Sequence, residues 1–342
     1  MALQASGQIK YSEIIAEFGT PNSGGLGEYR ISENVGTLTN LPLDTGVPQG
    51  NSQIKFSDFY SKRLNHVVDL YSIGNGSSRQ NAKDRWNNGN VHIVGSSKTG
   101  KTQPPDTIED RVIINVNATI SSVKGTQTHC ALRTGNWDTN TTLEIEIGTS
   151  GKLYGSGGDG GSGGSANETA GTNGQTGSSA LGIQYPCTVN NLGVIQSGYG
   201  GGGGGGGNTR TTGGGKKSGA VTNGSSGGGG GGGAGSPAGA AGGVQTPLSQ
   251  GGGSAGSAGQ AGSLSGQATG GAGGSEAGAG GNSSPVNNSA TKADNGATAS
   301  GAASPGTGGN NGYAIITNQG SAPSLSGGGT LTGRTITSTN PT

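Results

Sequence analysis

Hydrophobic and polar residues alternate over short segments of the first 200 positions, and this pattern disappears afterwards. Three segments are β-branched or alternate strictly, which is typical of strands: residues 91–94, 112–118 and 143–147. Residues 181–190 predict one more strand pair, which residues 191–195 continue. Glycines at positions 125, 135 and 148 fall at the turns. The pattern therefore predicts a mainly β and irregular chain.

The first 65 residues contain one short pattern twice, at residues 7–15 and 52–60. In each copy an isoleucine and an aromatic residue alternate with polar residues, which predicts a short half-buried strand. Ser12 and Ser57 then stand where helix N-caps would, each followed by an acidic residue. Residues 23–30 predict a further short turn. Because such small copies cannot bury their own apolar faces, we expect them to pack together or on a partner protein. A plain small α+β domain is the alternative.

Glycine dominates the second half of the chain. It occupies 63 of the 192 positions after residue 150 and 16 of the first 150, and residues 200–207 are eight consecutive glycines. Residues 253, 256, 259 and 262 are glycines at three-residue spacing, the period of an extended left-handed helix without internal hydrogen bonds. Several such helices side by side could satisfy one another's backbones. The glycine-rich half is therefore predicted to be packed polyglycine II helices.

A flexible linker is the alternative for this half, because dense Gly, Pro and Ser without a sustained period normally form flexible chains. Two observations favour the packed helices. Seven of the last 145 residues are charged, whereas disordered segments usually carry high charge. A linker also joins two domains, and nothing after residue 320 resembles a domain.

The charge of the chain and the spacing of its histidines and cysteines argue against several classes of function. The formal net charge of +1, with 11% charged residues, indicates neither a nucleic-acid nor a membrane-surface partner. His66, His92 and His129 have no Ser, Cys or carboxylate at diagnostic spacing, and Cys130 and Cys187 define no metal site. Both cysteines are expected to be free buried thiols. We therefore predict no enzyme activity, no metal and no cofactor.

Two motifs resemble ligand sites without the required context. Residues 95–102 fit the phosphate-loop pattern, but Pro104 and Pro105 disfavour the helix that must follow it, so we interpret the segment as a loop of small residues. Asp159 lies between glycines as in calcium-binding repeats, but one Asp in one copy supplies too few oxygen ligands.

Two sets of residues resemble known phage proteins. Residues 7–14, 26–30 and 53–60 resemble the N-terminal segment of virion proteins from tailed bacteriophages, including marine and cyanobacterial ones. Residues 153–161, 188–195 and 200–207 are similar to the glycine-rich distal region of phage tail-fibre adhesins of the T-even type. The N-terminal region of those adhesins differs from this one, which leaves the mode of attachment and the copy number open.

The resemblance implies a receptor-binding protein at the tip of a phage tail or tail fibre, and it implies three parts. Residues 1–65 would be a small α+β module attached to a tail or tail-fibre protein, residues 66–154 a β-rich domain, and residues 155–342 a glycine-rich receptor-binding domain. The receptor would be a protein or polysaccharide of the bacterial outer surface. A homo-oligomer stays among the alternatives. The candidate attachment residues are Tyr11, Phe18, Tyr29, Phe56, Phe59 and Tyr60.

Under this interpretation the glycine runs are scaffold, and the more varied segments between them contact the receptor. The second interpretation is a structural virion protein whose glycine-rich half is a flexible spacer. The candidate receptor-binding residues are Asn208, Thr209, Arg210, Thr211, Thr212, Val244, Gln245, Leu248, Asn287 and Asn288.

Overall fold

The computed structural model describes residues 3–21, 23–102, 111–164, 170–204, 208–212, 221–225, 232–233, 235–240, 242, 298–299, 306–318, 322–337 and 339–342. For residues 208–212, 221–225 and 298–299 it describes the backbone alone. Short helices accompany many short strands, so the prediction of a mainly β and irregular chain is confirmed. No helix in these ranges has the length and apolar character of a membrane span.

The N-terminal region begins with helix α1 (Tyr11–Phe18). A 3₁₀ helix (Leu26–Tyr29), the antiparallel hairpin of β1 (Ser32–Val35) and β2 (Leu38–Pro42), and a second 3₁₀ helix (Phe56–Phe59) follow. The first 3₁₀ helix lies in the turn predicted at residues 23–30. Residues 7–10 and 52–55 belong to no strand, so the short strands predicted in the two copies are wrong.

The two copies of the N-terminal pattern nevertheless form the same local structure. The backbone N–H of Lys10 donates to the Glu13 carboxylate at 2.7 Å, and that of Lys55 donates to the Asp58 carboxylate at 2.7 Å. The N-caps are therefore these two lysines, and the predicted caps Ser12 and Ser57 are wrong. The carboxylate three residues after the cap binds the free backbone N–H, so no cap side chain is needed for it.

Three aromatic rings, one from α1 and one from each 3₁₀ helix, form one core. Phe18, Tyr29 and Phe59 are fully buried, with ring centroids 5.5 to 6.0 Å apart in tilted or edge-on arrangements. They belong to one apolar cluster with Val67 and Ile113 of the main sheets. The N-terminal copies thus pack together and on the rest of this chain.

The remaining strands wind as successive coils of three. Coil 1 consists of β3 (Asn65–Leu70), β4 (Ser77–Ser78) and β5 (Gln80–Asn81). Helix α2 (Ala82–Asn87), strand β6 (Val91–Ile93) and the short helix α3 (Ser96–Thr99) follow. Coil 2 consists of β7 (Arg111–Val116), β8 (Thr119–Ser121) and β9 (Cys130–Arg133), and coil 3 of β10 (Thr142–Ile147), β11 (Lys152–Tyr154) and β12 (Ser179–Ile183).

Coil 4 is interrupted by a long insertion. Strands β13 (Thr188–Asn191) and β14 (Val194–Gln196) come first; β15 (Asn208–Thr212), β16 (Val221–Ser225) and β17 (Thr298–Ala299) form a separate antiparallel sheet; β18 (Tyr313–Thr317) then completes the coil. Coil 5 consists of β19 (Ser324–Ser326), β20 (Thr330–Thr332) and β21 (Arg334–Ile336).

Corresponding strands of the five coils pair in parallel, which makes a β-solenoid with three faces. Sheet 1 has the order β6-β3-β7-β10-β13-β19, with β6 antiparallel at its edge. Sheet 2 has the order β4-β8-β11-β14-β20, and sheet 3 the order β5-β9-β12-β18-β21. Strands before and after residue 155 therefore share all three sheets.

Ladders of inward-facing side chains fill the solenoid. In sheet 1 Val68, Ile114, Ile145 and Val189 stand in register and are fully buried. In sheet 2 Ile120, Leu153 and Ile195 do the same, and in sheet 3 Leu132, Leu181 and Ile315. Coils 2, 3 and 4 each add one apolar layer from all three sheets, so the core runs along the axis of the solenoid.

Candidate functional site

The glycine-rich segments leave the solenoid at one corner, between the second and third strands of a coil. In coil 3 the chain leaves after β11 and returns at β12, and in coil 4 it leaves after β14 and returns at β18. We call residues 155–164, 170–178, 197–204, 232–242 and 306–312, as far as they are described, the glycine array. Because the coils are stacked, successive segments leave from adjacent positions and lie side by side.

Backbone hydrogen bonds join these segments with a three-residue period. The N–H groups of Gly155, Gly158 and Gly161 donate to the carbonyls of Gln196, Tyr199 and Gly202 at 2.8 Å each. In the same way residues 198, 201 and 204 donate to residues 178, 175 and 172, and residues 306, 309 and 312 to residues 204, 201 and 198. Each segment thus satisfies its polar backbone groups on its neighbours.

The array has no room for side chains at the glycines that face a neighbour. A β-carbon at Gly158 would lie 2.0 Å from the carbonyl oxygen of Gln175, and one at Gly201 would lie 2.1 Å from that of Asp159. At Gly309 the distance to the oxygen of Gln175 would be 2.0 Å. Such distances mean steric overlap with rigid backbone, so glycine is required there for packing rather than for conformational freedom.

One ion pair connects the array to the solenoid. Asp159 in the first segment accepts a hydrogen bond from Lys124 Nζ at 2.6 Å, and the same oxygen accepts the backbone N–H of Ala240 at 2.6 Å. Lys124 lies in coil 2, at the corner from which the glycine segments of coils 3 and 4 leave. Sequence reasoning noted Asp159 as a poor calcium ligand and missed its partner, 35 residues away.

The candidate receptor-binding residues fall into two groups. Asn208, Thr209, Arg210, Thr211 and Thr212 form strand β15, so the predicted loop is a strand. It pairs antiparallel with β16 and β17 and closely follows the third array segment. The other predicted residues lie outside the described residues: Val244, Gln245, Leu248, Asn287 and Asn288. The role of both groups stays a prediction.

The candidate attachment residues differ in how far their side chains are exposed to solvent. Phe18, Tyr29 and Phe59 are core residues of the N-terminal region, and burial raises the pKa of the Tyr29 hydroxyl above its usual range. Tyr11 and Tyr60 are half-buried, whereas Phe56 is 42% exposed. Three of the six side chains are therefore buried in the core, and the attachment role of the six residues stays a prediction.

The phosphate-loop pattern has its own structural role. Residues 96–99 form α3, so the interpretation of the whole segment as a loop is wrong. Gly95 and Gly100 flank this helix in left-handed conformations, with φ of 76° and 69°. Lys101 Nζ donates to the carbonyl oxygens of Ala16 and Glu17 at 2.7 and 3.0 Å, so it binds the C-terminal turn of α1.

The two cysteines are free, as expected. Cys130 is buried in β9 and Cys187 is half-buried. Burial raises the pKa of both thiols to about 12. Both groups are therefore protonated at neutral pH and unreactive.

Comparison with known proteins assigns the chain. The sequence model of the phage tail fibre adhesin Gp38 family matches residues 80–336. The chain belongs to this adhesin family. The matched range runs from the third strand of coil 1 to the last strand of coil 5 and includes the whole glycine array. The chain is thus a phage receptor-binding adhesin, and its place is the tail fibre of the virion.

Two further comparisons complete this result. No curated protein matches the chain. A solved structure, the gp37–gp38 adhesin tip complex of the bacteriophage S16 long tail fibre, aligns over 96% of this chain and 99% of that chain, with 17% identity and a TM-score of 0.35. Residues 1–79 of this adhesin, which include β3 and β4 of coil 1, lie outside the family match.

Proposed function

We propose that this adhesin forms the distal tip of a tail fibre and that its glycine array is a frame of packed polyglycine II helices that presents receptor-contacting segments. The three-residue period of the hydrogen bonds supports this frame, because an extended helix with three residues per turn directs every third N–H to the same neighbour. The absence of space for a β-carbon at the facing glycines supports it as well.

The strand β15 is the candidate contact segment that the observations favour most. It closely follows the third array segment, and its hairpin with β16 carries polar residues, including Arg210. Polar side chains on a hairpin that a rigid frame holds in place suit recognition of a bacterial surface protein or polysaccharide. We keep Asn208, Thr209, Thr211 and Thr212 as contact residues together with it. Val244, Gln245, Leu248, Asn287 and Asn288 stay candidates on sequence grounds.

We propose further that residues 1–65 attach the adhesin to a tail or tail-fibre protein. Phe56 is the exposed aromatic side chain of this module, and Tyr11 and Tyr60 are half-exposed beside the buried aromatic core. In this proposal the three parts of the chain differ in role. Residues 1–65 attach the adhesin, and the strands of residues 66–154 with their later partner strands support it. Residues 155–342 contain the segments that contact the receptor.

The proposed action is binding without catalysis, with neither a metal nor a cofactor. A competition experiment tests it. Purified adhesin added to host cells should block adsorption of the phage. The Arg210→Ala adhesin should block adsorption less than the wild type does, and its melting temperature should be unchanged. Full adsorption at saturating adhesin would contradict the proposal and favour the alternative of a structural protein with a flexible glycine-rich spacer.

A further inference from the structure

The N-terminal half of the chain contains a pocket between the loop after α1, the first 3₁₀ helix with the start of β1, and helix α3. Its volume of about 340 Å³ falls within the roughly 300–1,000 Å³ of small-molecule sites. None of its described lining residues belongs to the glycine array or to the candidate attachment residues. These lining residues are Pro21, Glu28, Arg30, Ile31, Ser32 and Lys98.

The walls of the pocket are held in place by the C-terminal end of α1. The Tyr29 hydroxyl of the 3₁₀ helix donates to the carbonyl of Gly19 at 2.7 Å. Thr99 of α3 is buried, and a β-carbon at Gly19 would lie 2.5 Å from its carbonyl oxygen, so α3 packs closely on the same residue. Lys101 binds the last turn of α1 as well. The pocket is therefore formed before a ligand binds, which lowers the entropy cost of binding.

Two cationic side chains give the pocket its affinity for an anion. Lys98 is exposed and belongs to the segment with the phosphate-loop pattern, whose other lysine, Lys101, is bound to α1. Arg30 Nη2 donates to the carbonyl of Ser52, and its buried Nε has no acceptor in the described part of the chain. Buried donors are almost always paired, so this guanidinium has capacity for a further partner.

The same pocket offers partners for hydroxyl groups and for an apolar surface. One oxygen of the Glu28 carboxylate accepts the backbone N–H of Ser23 at 3.0 Å, and a carboxylate has room for further donors. The exposed hydroxyl of Ser32 can donate or accept. Pro21 and Ile31 supply apolar walls. A ligand that uses all these groups carries a negative charge, several hydroxyls and an apolar face.

We propose that this pocket binds one acidic sugar unit of a bacterial surface polysaccharide. The carboxylate or phosphate of the sugar accepts hydrogen bonds from Arg30 and Lys98. Its hydroxyl groups bind Glu28 and Ser32, and its C–H groups pack on the two apolar walls. This inference rests on the proposed function, since it adds a second contact with the host surface to the contact made by the glycine-rich part.

An acidic side chain of a partner protein fits the pocket less well. A single carboxylate on a short aliphatic chain fills a small part of the 340 Å³. It also has no donor for Glu28, whose negative charge repels it. A neutral sugar satisfies Glu28 but gives Arg30 and Lys98 no anion. An acidic sugar supplies both the negative charge and the hydroxyl donors.

Ligand-observed NMR on the purified full-length adhesin tests the inference with a panel of glucuronate, galacturonate, N-acetylneuraminate and glucose 1-phosphate. At least one of these acidic sugars should bind with a Kd of about 1 mM, as expected for a ligand of this size. Lys98→Gln should raise that Kd roughly tenfold, because one charged hydrogen bond is lost. Its melting temperature should stay within about 2 °C of the wild type, because Lys98 is exposed.

One variant and two ligands serve as controls. Lys152→Gln removes the same charge from an exposed position of β11, outside the pocket, and should leave the Kd unchanged. Glucose should bind roughly tenfold more weakly than the preferred acidic sugar or worse, because it lacks the charge. Acetate should not displace that sugar at equal concentration, because it lacks the hydroxyls and the ring.

Several outcomes would overturn the inference. Absence of binding by every acidic sugar of the panel would do so, and so would an unchanged Kd for Lys98→Gln. Acetate as effective as the best acidic sugar would show a site for carboxylates in general, such as the acidic side chains of proteins. Failure of the proposed function would be seen separately, as full adsorption of the phage to host cells in the presence of wild-type adhesin.

Discussion

Lys124 Nζ lies 2.6 Å from Asp159 Oδ1, and this contact ties the first segment of the glycine array to coil 2. Both side chains are about a third exposed, so solvent screens part of their attraction. The same carboxylate oxygen also accepts the N–H of Ala240, so Asp159 joins two array segments and the solenoid. Its geometry explains why an acidic residue stands in a run of glycines.

Removing this contact should loosen the array without unfolding the solenoid. We expect Lys124→Met and Asp159→Asn each to lower the free energy of unfolding by about 1 kcal/mol, the value of a partly screened charged hydrogen bond. A double-mutant cycle followed by denaturant unfolding measures the coupling. Strictly additive effects of the two substitutions would contradict a direct interaction.

A methyl group in the array should cost far more than one in a solenoid turn. A β-carbon at Gly201 would lie 2.1 Å from the carbonyl oxygen of Asp159, whereas one at Gly74 would meet nothing within 4 Å. Gly201→Ala should therefore separate two backbones and leave buried hydrogen-bonding groups unpaired, at about 1–3 kcal/mol each. Thermal melting should show a clear loss for Gly201→Ala and none for Gly74→Ala. Equal melting temperatures would argue for a flexible segment.

His66 should make the adhesin sensitive to acid. Burial, followed by the positive charge of Lys101, lowers the pKa of His66 from 6.5 to about 3. Below pH 6.5 His66 therefore binds a proton in the unfolded chain but not in the folded chain. The free energy of unfolding keeps its full value above pH 6.5 and decreases as the pH falls towards 3. The loss is up to about 1.4 kcal/mol per pH unit.

Replacing His66 by leucine should remove this part of the acid sensitivity. The residue stands in register with Val112 and packs edge-on against Trp86, with ring centroids 5.2 Å apart, so an apolar side chain suits the position. Melting temperatures of wild type and His66→Leu from pH 7.5 to 4 check this. The two curves should diverge below pH 6.5, and parallel curves would contradict the assigned pKa.

Two neighbouring phenylalanines should separate attachment from stability. Phe59 is fully buried against Phe18 and Tyr29, so Phe59→Ala should lower the free energy of unfolding by about 3–5 kcal/mol. Phe56 is 42% exposed, so Phe56→Ala should keep the melting temperature and weaken incorporation into particles. Normal incorporation of a stable Phe56→Ala adhesin would argue against attachment through this surface.

The sequence predicted fewer than half of the strands in the three sheets, namely β6, β7, β10, β12, β13 and β14, and it did not predict how the strands pair. Alternation at residues 143–147 and 181–190 identifies strands because each buries one face locally. Ile195 pairs with Leu331, and the long glycine-rich insertion lies between them in the sequence. A local sequence pattern cannot predict a contact between residues so far apart in the chain.

At the candidate site, the three-residue spacing of glycines predicts packed extended helices. Residues 253–262, which show this spacing, lie outside the described residues, so polyglycine II helices stay a prediction. The prediction of a loop at residues 208–212 was wrong because Thr-rich segments without apolar residues lack the alternation that marks a strand. The sequence alone did not identify Lys124 as the partner of Asp159, because Lys124 lies in another coil.

Hydrogen exchange of the glycine array tests the central claim most directly. In the purified full-length adhesin, peptides covering residues 155–164, 197–204 and 306–312 contain the N–H groups of Gly158, Gly201 and Gly309, which donate to neighbouring segments. The account predicts that these amides exchange roughly 100-fold or more slowly than in an unstructured chain, because exchange requires the packed array to open. Exchange at the rates of an unstructured chain in all three peptides would contradict it.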